Sequence, residues 1–228
     1  VVVNSSIGET NNSSEYIERR AREWLKKVRG QSLYDNGETG PTSLENRFLH
    51  VVAAGNIKAD FNTDATLTSG WIAATLRPIW NESGVMQPPL NNTLVVENRA
   101  ITQTTPYAAE CIYVSALPGN IDGSKYHGNI SAVGTLVWSF TGAKEGADNA
   151  TGTSFAAPQV AGIAAYVWAL SLDSTPQNIL AILKNTARDD LPCPSLTPAP
   201  AAPLVDAYNA SLAVDDGDAL NEENLSPE

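Results

Sequence analysis

Cysteine and histidine are scarce in this sequence, and their scarcity excludes two common ways of stabilising a protein. Cys111 and Cys193 are the only two cysteines, too few for a disulfide framework, and they could form one bridge or remain two thiols. The two histidines, His50 and His127, lie outside any Cys/His spacing typical of zinc ligands. The sequence therefore predicts neither a disulfide-rich scaffold nor a zinc protein.

Basic charge and long apolar runs are also scarce. The chain has 14 Lys and Arg against 25 Asp and Glu, which gives a formal net charge of −11. Nucleic acid is therefore an unfavourable partner, because phosphate binding needs clustered Lys and Arg. No apolar run approaches the roughly 20 residues needed to cross a bilayer, so we expect no membrane span.

The chain begins with Val1, and Met86 is its single methionine. We interpret the sequence as part of a longer protein whose natural start lies upstream, so the lack of a visible signal peptide indicates little. Its 228 residues suffice for one large domain or two small ones. The 43% hydrophobic content predicts a globular protein with a substantial core.

What the sequence does contain is an alternation of apolar strands and amphipathic helices. Residues 1–3 are a β-branched run, residues 13–29 carry a helical apolar stripe, and residues 48–56 form a second apolar run. Strand, helix and strand in this order predict a βαβ unit and a parallel sheet, which is the α/β class. We expect residues 57–92 to be irregular. Strands are then predicted at "TLVVEN" and "CIYVSA", and one extended stretch at "ISAVGTLVWSF".

Two later helices have clearer boundaries. A long helix rich in small apolar residues begins near Ser154 and is predicted to be buried on nearly every side. In "STPQNILAILKNTA", Ser174 and Gln177 have the spacing of a capping box, and Pro176 stands in the first turn. "LVDAYNASLA" predicts a short closing helix. Residues 214–228 are strongly acidic and are predicted to form a disordered tail.

Ser154 stands where the long helix begins, and this position suits a nucleophile. The backbone N–H groups of a first helical turn have no intrahelical acceptor and lie at the positive end of the helix dipole, which favours an oxyanion. Gly152 allows close approach of a substrate backbone. Pro158 is expected to be tolerated because it stands near the helix start. From spacing alone, Ser154 could equally be only the N-cap of the helix.

Two motifs add to this interpretation. Residues 152–158, "GTSFAAP", resemble the Gly-Thr-Ser-x-Ala-x-Pro motif around the nucleophile of subtilases, the subtilisin-like serine peptidases. They do not fit the Gly-x-Ser-x-Gly elbow, because Ala156 occupies its last position. Upstream, "VVAAGN" is similar to the segment that carries the oxyanion-hole asparagine of subtilases. The resemblance implies that Ser154 is the nucleophile and that the Asn56 carboxamide and the Ser154 N–H bind the oxyanion.

The resemblance covers residues 1–213 and implies a peptide-binding cleft. "VVVNSSIG" resembles the strand and loop with which subtilases pair a substrate backbone, a general mode of peptide recognition. The implied substrate-binding residues are Ser6, Ile7 and Gly8 on one wall, Ala53, Ala54 and Gly55 on the other, and Gly152 and Thr153 beside the nucleophile. The implied fold is a three-layer α/β fold with a doubly wound parallel sheet of subtilisin type, whose N-terminal part is missing.

Two members of the catalytic triad are absent from the sequence. Subtilases carry Asp in an Asp-Ser/Thr-Gly context and His in a His-Gly-Thr context, both before the serine, and neither motif occurs here. Because Val51 follows His50 and Gly128 follows His127, we assign neither histidine as the general base. A serine hydroxyl without an adjacent base is a weak nucleophile. We therefore expect the chain alone to be inactive and to need an N-terminal portion that carries Asp and His.

Three interpretations remain open from the sequence. The first is a secreted or cell-surface serine endopeptidase that acts on peptides or proteins. The second is a non-catalytic peptide-binding pseudopeptidase that keeps the cleft. The third, an ordinary α/β binding module with Ser154 as an N-cap, requires both motifs to arise by chance. Subtilases often bind structural calcium, but no Asp/Asn cluster here identifies ligands, and the sequence indicates no other cofactor.

Overall fold

The computed structural model describes residues 1–6, 14–29, 44–55, 70–76, 78–81, 84–99, 128–134, 137–140, 147–188 and 202–215. In chain order the elements are β1 (Val2–Ser5), α1 (Ser14–Val28), β2 (Leu49–Ala53), α2 (Gly70–Leu76), β3 (Ile79–Trp80), β4 (Met86–Gln87), β5 (Thr93–Arg99), β6 (Ile130–Val133), β7 (Val137–Phe140), β8 (Ala147–Ala150), α3 (Thr153–Leu170), α4 (Pro176–Asn185) and α5 (Ala207–Leu212). The predicted strand "CIYVSA", both cysteines and His127 lie outside the described residues.

The central sheet is parallel and has the strand order β1-β2-β5-β6. Val2 lies opposite Leu49, and Val96 lies opposite Ile130. Every residue of β2 and β5 is buried, because helices cover both faces of the sheet, as parallel sheets require. β1 is less buried than predicted, since it is an edge strand among the described strands and Val3 is 40% exposed.

Helices pack on both faces of the sheet and form two outer layers. Successive residues of β2 point to opposite faces, as in any strand. Val52 and Ala54 pack with the apolar side chains of α1 and α2, whereas Val51 and Ala53 pack with those of α3, α4 and α5. The predicted three-layer α/β fold with a doubly wound parallel sheet is confirmed. None of the described helices is long and apolar enough to cross a membrane.

The first helix agrees with its prediction. The apolar stripe of α1 is buried at Ile17, Ala21, Leu25 and Val28. Its charged face is not a basic patch, because its arginines pair with glutamates one turn away; Arg19 Nη1 lies 2.9 Å from a carboxylate oxygen of Glu23, for example. Such exposed pairs contribute little to stability. This face is therefore an ordinary solvated surface.

Two predictions about the middle of the chain are wrong. The expected irregular stretch 57–92 contains α2 and the antiparallel β3–β4 hairpin. α2 has no amphipathic pattern to reveal it, and its Ile72 and Ala74 are buried against α1. The expected single stretch "ISAVGTLVWSF" divides at Gly134. Only β6 joins the main sheet, while β7 pairs antiparallel with β8.

Two predictions about the later helices also need correction. The N-cap of α4 is Thr175, whose Oγ1 accepts a hydrogen bond from the Asn178 N–H at 3.2 Å, so Ser174 does not form the predicted capping box. α3 is buried only on the side that faces the sheet; Tyr166 is 58% exposed and Leu170 is 42% exposed. The predicted tail at 214–228 is described only at residues 214 and 215, and its disorder stays a prediction.

His50 is a buried residue of β2, and its side chain faces α1. Its side chain is enclosed by Trp24, with ring centroids 5.4 Å apart, and by Phe48. Its Nε2 lies 2.8 Å from the hydroxyl oxygen of Ser5 on β1. Burial lowers the pKa of His50 to about 4 from 6.5, because a low-dielectric surrounding disfavours the charged imidazolium. His50 is therefore neutral in the folded protein near neutral pH.

This depressed pKa predicts that the protein loses stability in mild acid. Above pH 6.5 His50 is neutral in both states; as the pH falls from 6.5 towards 4, only the unfolded chain takes up the proton, which favours unfolding. The unfolding free energy should be about 2 kcal/mol lower at about pH 5 than at about pH 7.5. Urea titrations of the wild type and of His50→Gln measure this difference. An equal decrease in both proteins would show that His50 is not its source.

Candidate functional site

The end of β2 and the start of α3 are joined by one threonine hydroxyl. Thr153 Oγ1 donates a hydrogen bond to the carbonyl oxygen of Gly55 at 3.0 Å and accepts one from the Gly55 N–H, also at 3.0 Å. Thr153 is fully buried. A hydroxyl can donate and accept at once, so it fixes both polar groups of one residue. Gly55 immediately precedes Asn56, and Thr153 immediately precedes Ser154.

Gly134 allows the helix start to approach the end of β6. The Gly152 N–H donates to the Gly134 carbonyl oxygen at 2.8 Å. A Cβ built on Gly134 would lie 2.5 Å from the Gly152 carbonyl oxygen and 3.1 Å from the Ala156 nitrogen. Backbone atoms cannot yield to such an overlap as a flexible side chain can. Glycine is therefore required at position 134 for this close packing.

The helix start excludes one interpretation of Ser154 and corrects another prediction. The N-cap is Gly152, which has no side chain with which to cap the helix. Ser154 is therefore not the N-cap but the second helical residue. The Phe155 N–H donates to the Gly152 carbonyl oxygen at 3.0 Å, which makes the first turn tight. Pro158 is tolerated within the helix, but it lies beyond the first four N–H groups, so the predicted reason for its tolerance is wrong. Without an N–H it cannot donate to the Ser154 carbonyl.

The described residues among those predicted to bind substrate lie at one edge of the sheet. Because β1 and β2 are parallel neighbours, their carboxyl ends, at Ser6 and Gly55, meet at the same edge. Ser154 is partly exposed there, at the start of α3. The side chains of Ala53 and Ala54 are buried in the two opposite cores, so only their backbone could contact a peptide. Asn56, Ile7 and Gly8 lie outside the described residues.

His50 does not approach Ser154 in this structure. It lies one residue from the amino-terminal end of β2 and faces α1, whereas α3 packs on the opposite face of the sheet. Within the described part of the chain, no three His, Cys, Asp or Glu side chains are grouped closely enough to hold a metal ion.

Two polar side chains near the helix start were missed by the sequence reasoning. Asn98, a buried residue of β5, accepts a hydrogen bond from the Gly134 N–H through Oδ1 at 2.7 Å. Gln159 donates from Nε2 to the carbonyl oxygens of Val133, at 2.6 Å, and Phe155, at 2.9 Å. The available signal for Asn98 is its position at the end of the apolar run "TLVVEN", because a buried amide needs a specific partner.

A second group of buried polar residues holds the segment before α5 against β5 and β6. The backbone of Ala202 donates to a Glu97 carboxylate oxygen at 3.3 Å and accepts from Arg99 Nη2 at 2.7 Å. Ser131 Oγ also donates to the Ala202 carbonyl at 2.8 Å. Charge-assisted hydrogen bonds of this kind are stronger than neutral ones. They fix a segment distant in sequence against the end of the sheet.

The Thr153 hydroxyl should contribute strongly to stability. Thr153→Val keeps the shape but leaves a Gly55 N–H and carbonyl without this partner, so we expect the unfolding free energy to fall by about 1–3 kcal/mol. Denaturant titration measures the change. Thr186→Val is a suitable control, because Thr186 Oγ1 bonds only to its own helix, at the Ile182 carbonyl. Equal effects of the two substitutions would contradict a special role for Thr153.

Comparison with known proteins places the chain in a family. The profile of the subtilase family, Peptidase S8, matches residues 1–219. The comparison with curated proteins gives no match. A solved structure of the subtilase cytotoxin SubAB assembly is 18% identical, with a TM-score of 0.55, and the match covers 99% of this chain and 62% of that one.

Two further solved structures are similar in fold. The A subunit of an AB5 toxin from E. coli is 20% identical with a TM-score of 0.53, covering 93% of this chain and 60% of that one. The patellamide maturation protease PatA is 20% identical with a TM-score of 0.52, covering 94% and 62%. The chain thus spans about three-fifths of the length of these proteins. Since the family profile matches nearly all of it, the chain belongs to the subtilase family.

Proposed function

We propose that this chain is the serine-bearing portion of a serine endopeptidase, with Ser154 as the nucleophile. The observation that carries the proposal is the pair of hydrogen bonds between Thr153 and Gly55. Each of these residues immediately precedes a proposed catalytic residue. The bonds therefore join Gly55 and Thr153, the residues that precede Asn56 and Ser154 in the sequence, at the carboxyl edge of the sheet.

The proposed reaction is acyl transfer through a covalent intermediate. The Ser154 hydroxyl oxygen attacks the carbonyl carbon of a peptide bond while a base removes the hydroxyl proton. The Ser154 N–H and the Asn56 carboxamide donate hydrogen bonds to the resulting oxyanion. The tetrahedral intermediate then expels the amine, which takes a proton, and leaves an ester on Ser154. Water hydrolyses this ester by the same steps.

The general base of this reaction comes from outside the chain in our proposal. We propose that an N-terminal portion of the same protein carries the Asp and His of the triad. The similar structures support this, because this chain spans only about three-fifths of their length. The exposed face of α3, including Tyr166 and Leu170, offers apolar surface for such a portion to cover. The chain alone is then expected to have almost no peptidase activity, since loss of the base removes most of the rate enhancement.

The proposed substrates are peptides or proteins that bind in extended form. Ser6, Ile7 and Gly8 would form one wall of the specificity cleft and Ala53, Ala54 and Gly55 the opposite wall. The parallel arrangement of β1 and β2 supports this, because it brings both segments to one edge. Gly152 and Thr153 then lie beside the scissile bond. Secretion or display at the cell surface is proposed from family membership. Structural calcium is also proposed from that membership, with ligands that the sequence does not identify.

The alternative is a non-catalytic peptide-binding protein that keeps the cleft. The position of His50 favours this alternative, because the one described histidine faces α1 and not Ser154. Both functions use the same cleft and the same hydrogen-bond donors. They differ only in whether a base reaches the Ser154 hydroxyl.

Covalent labelling separates the two functions. In the full-length protein, a fluorophosphonate should label the wild type, and Ser154→Ala should abolish the label because the nucleophilic oxygen is gone. Asn56→Ala should lower kcat by about 10²–10³ with little change in KM, a range carried over from the removal of one oxyanion donor in subtilisin, a member of this family.

Ser171→Ala is the matched control, since Ser171 lies at the opposite end of the same helix and bonds to Ser174. It should keep the wild-type label. Labelling that persists in Ser154→Ala would remove Ser154 from the proposed role. A full-length protein that binds peptide but takes no label would favour the non-catalytic alternative.

A further inference from the structure

Glycosylation sequons are unusually frequent in this chain. Nine of the 19 asparagines are followed two residues later by Ser or Thr, with no proline between. Ser and Thr make up 36 of the 228 residues, so chance would give about three such sequons. The acceptor asparagines are Asn4, Asn11, Asn12, Asn81, Asn91, Asn129, Asn149, Asn209 and Asn224. This excess points to a protein that meets the N-glycosylation machinery.

The fold distinguishes Asn81 from the other described acceptors. Asn91 and Asn209 use their carboxamides in contacts with Gln177 and Asp206. Asn4 lies within β1, beside the proposed cleft, and Asn149 lies within β8. The side chain of Asn129 binds the Val95 N–H in the sheet. Asn81 lies in the connection between β3 and β4, which form a separate two-stranded sheet, and its side-chain hydrogen bond stays within that connection, as suits the surface loop that a glycan requires.

The described residues of the turn after β3 are held by hydrogen bonds to Asn81. Its Oδ1 accepts from the Val85 N–H at 2.8 Å, and its carbonyl oxygen accepts from the Gly84 N–H at 3.1 Å. Gly84 has a φ of +73°, and no atom lies within 4 Å of a Cβ built on it, so the space beside Gly84 is open. The turn therefore has room for a bulky substituent.

Three large apolar side chains beside this turn are exposed. Trp80 is 51% exposed, Val85 is 55% exposed and Met86 is 49% exposed. Clusters of exposed apolar side chains promote association in soluble proteins. A glycan on Asn81 would lie next to all three and would cover them with a strongly hydrated group.

We propose that Asn81 is an N-glycan acceptor and that its glycan shields the apolar hairpin. In this reaction the Asn81 Nδ2 forms a bond to C1 of an oligosaccharide carried on a polyprenyl diphosphate. The bond from C1 to the diphosphate oxygen breaks, the diphosphate leaves with the electron pair, and Nδ2 gives up one proton. The proposal rests on the secretion included in the proposed function, but not on peptidase activity.

Translation into microsomes tests acceptor use without depending on peptidase activity. The chain is translated behind a cleavable signal sequence with endoplasmic-reticulum microsomes, and glycopeptides are mapped by mass spectrometry. Most Asn81 should carry a glycan. Asn81→Gln and Ser83→Ala should each remove one glycan, whereas Asn185→Gln, an exposed asparagine without a sequon, should remove none.

The outcomes of this experiment are decisive for Asn81. Glycans at other sequons with Asn81 unmodified would overturn the assignment of the acceptor. Absence of glycan from every sequon would overturn the whole proposal, yet would leave fluorophosphonate labelling of Ser154 unaffected. Enzymatic deglycosylation of the secreted chain should also increase binding of a hydrophobic dye, and Trp80→Ser should reduce that increase. No increase would overturn the shielding role.

A separate observation concerns the start of α3. The Asn98 Oδ1 accepts from the Gly134 N–H at 2.7 Å, which is closer than the Arg99 carbonyl that the same N–H approaches at 3.2 Å. The Gly134 carbonyl in turn accepts from the Gly152 N–H. One buried side chain is thus connected through two peptide groups to the residue that caps α3. These contacts lie two residues from Ser154.

We infer that Asn98 is a positioning residue for Ser154. Its carboxamide fixes Gly134, and Gly134 fixes the Gly152 peptide, so the direction of the Ser154 N–H and hydroxyl depends on Asn98. Because catalysis is sensitive to displacements of about 1 Å, a loosened helix start should reduce turnover more than binding. This inference rests on the proposed role of Ser154.

Kinetics normalised to labelled sites test this role. In the full-length protein, Asn98→Leu should lower kcat per labelled site about 10- to 100-fold with KM nearly unchanged. Asn98→Asp keeps an acceptor at the same place and should restore most of kcat. Asn92→Leu is the matched control, because Asn92 is also buried, next to the opposite end of β5, where it donates to the Phe48 carbonyl. It should lower Tm but not kcat.

Hydrogen exchange gives a second measurement that does not require activity. The amides of Gly134 and Gly152 should exchange faster in Asn98→Leu than in Asn92→Leu. Unchanged exchange at both amides, or an equal loss of kcat in all three variants, would overturn the positioning role. If the amides exchange faster in Asn98→Leu but the wild-type Ser154 takes no label, Asn98 still positions the start of α3. In that case the proposed peptidase function is rejected.

Discussion

The two hydrogen bonds between Thr153 and Gly55 are the contact on which the geometry of this site depends. They join residues 98 positions apart in the sequence and use both the donor and the acceptor capacity of one buried hydroxyl. Without this contact, the end of a strand and the start of a helix would be fixed only by general packing between layers. Packing alone sets the distance between layers, but it does not set which peptide groups face each other. The hydroxyl supplies that specificity.

Small residues make this contact possible. Gly134 and Gly152 allow β6 and α3 to meet backbone to backbone, and alanines line the buried side of the helix. Close approach brings peptide dipoles together in a region of low dielectric, where each hydrogen bond has a larger electrostatic effect than in water. Polar side chains then hold the backbone in place, Asn98 from β5 and Gln159 from α3 itself. The site is therefore built mainly from backbone groups, and the side chains around it restrict their movement.

The sequence predicts those features that depend on periodicity, and it fails where distant contacts decide. β2 and α1 are predictable because an apolar run and an amphipathic stripe are local patterns. α2 is not, since its seven residues form a helix through burial against α1. The choice between Ser174 and Thr175 as cap depends on backbone angles, because both residues have hydroxyls. The motifs indicate Ser154, but the contacts of Asn98 and Gly134 require knowledge of which strands are neighbours in the sheet.

The direction from which a base can reach Ser154 follows from the sheet. At the carboxyl edge, Gly55 follows the end of β2 and bonds to Thr153, and Gly134 follows the end of β6 and contacts the helix start. His50 cannot be this base, because side chains alternate between the two faces along β2. His50 lies two residues before Val52 and therefore faces α1, as Val52 does, whatever its rotamer. A base would therefore come from beyond β1, the strand whose outer edge has no partner among the described residues. A strand added there would end at the same edge as Ser6, as in other parallel sheets that assemble a site from several strand ends. The added strand would also cover Val3. It would therefore complete the site and bury the edge strand β1 at the same time.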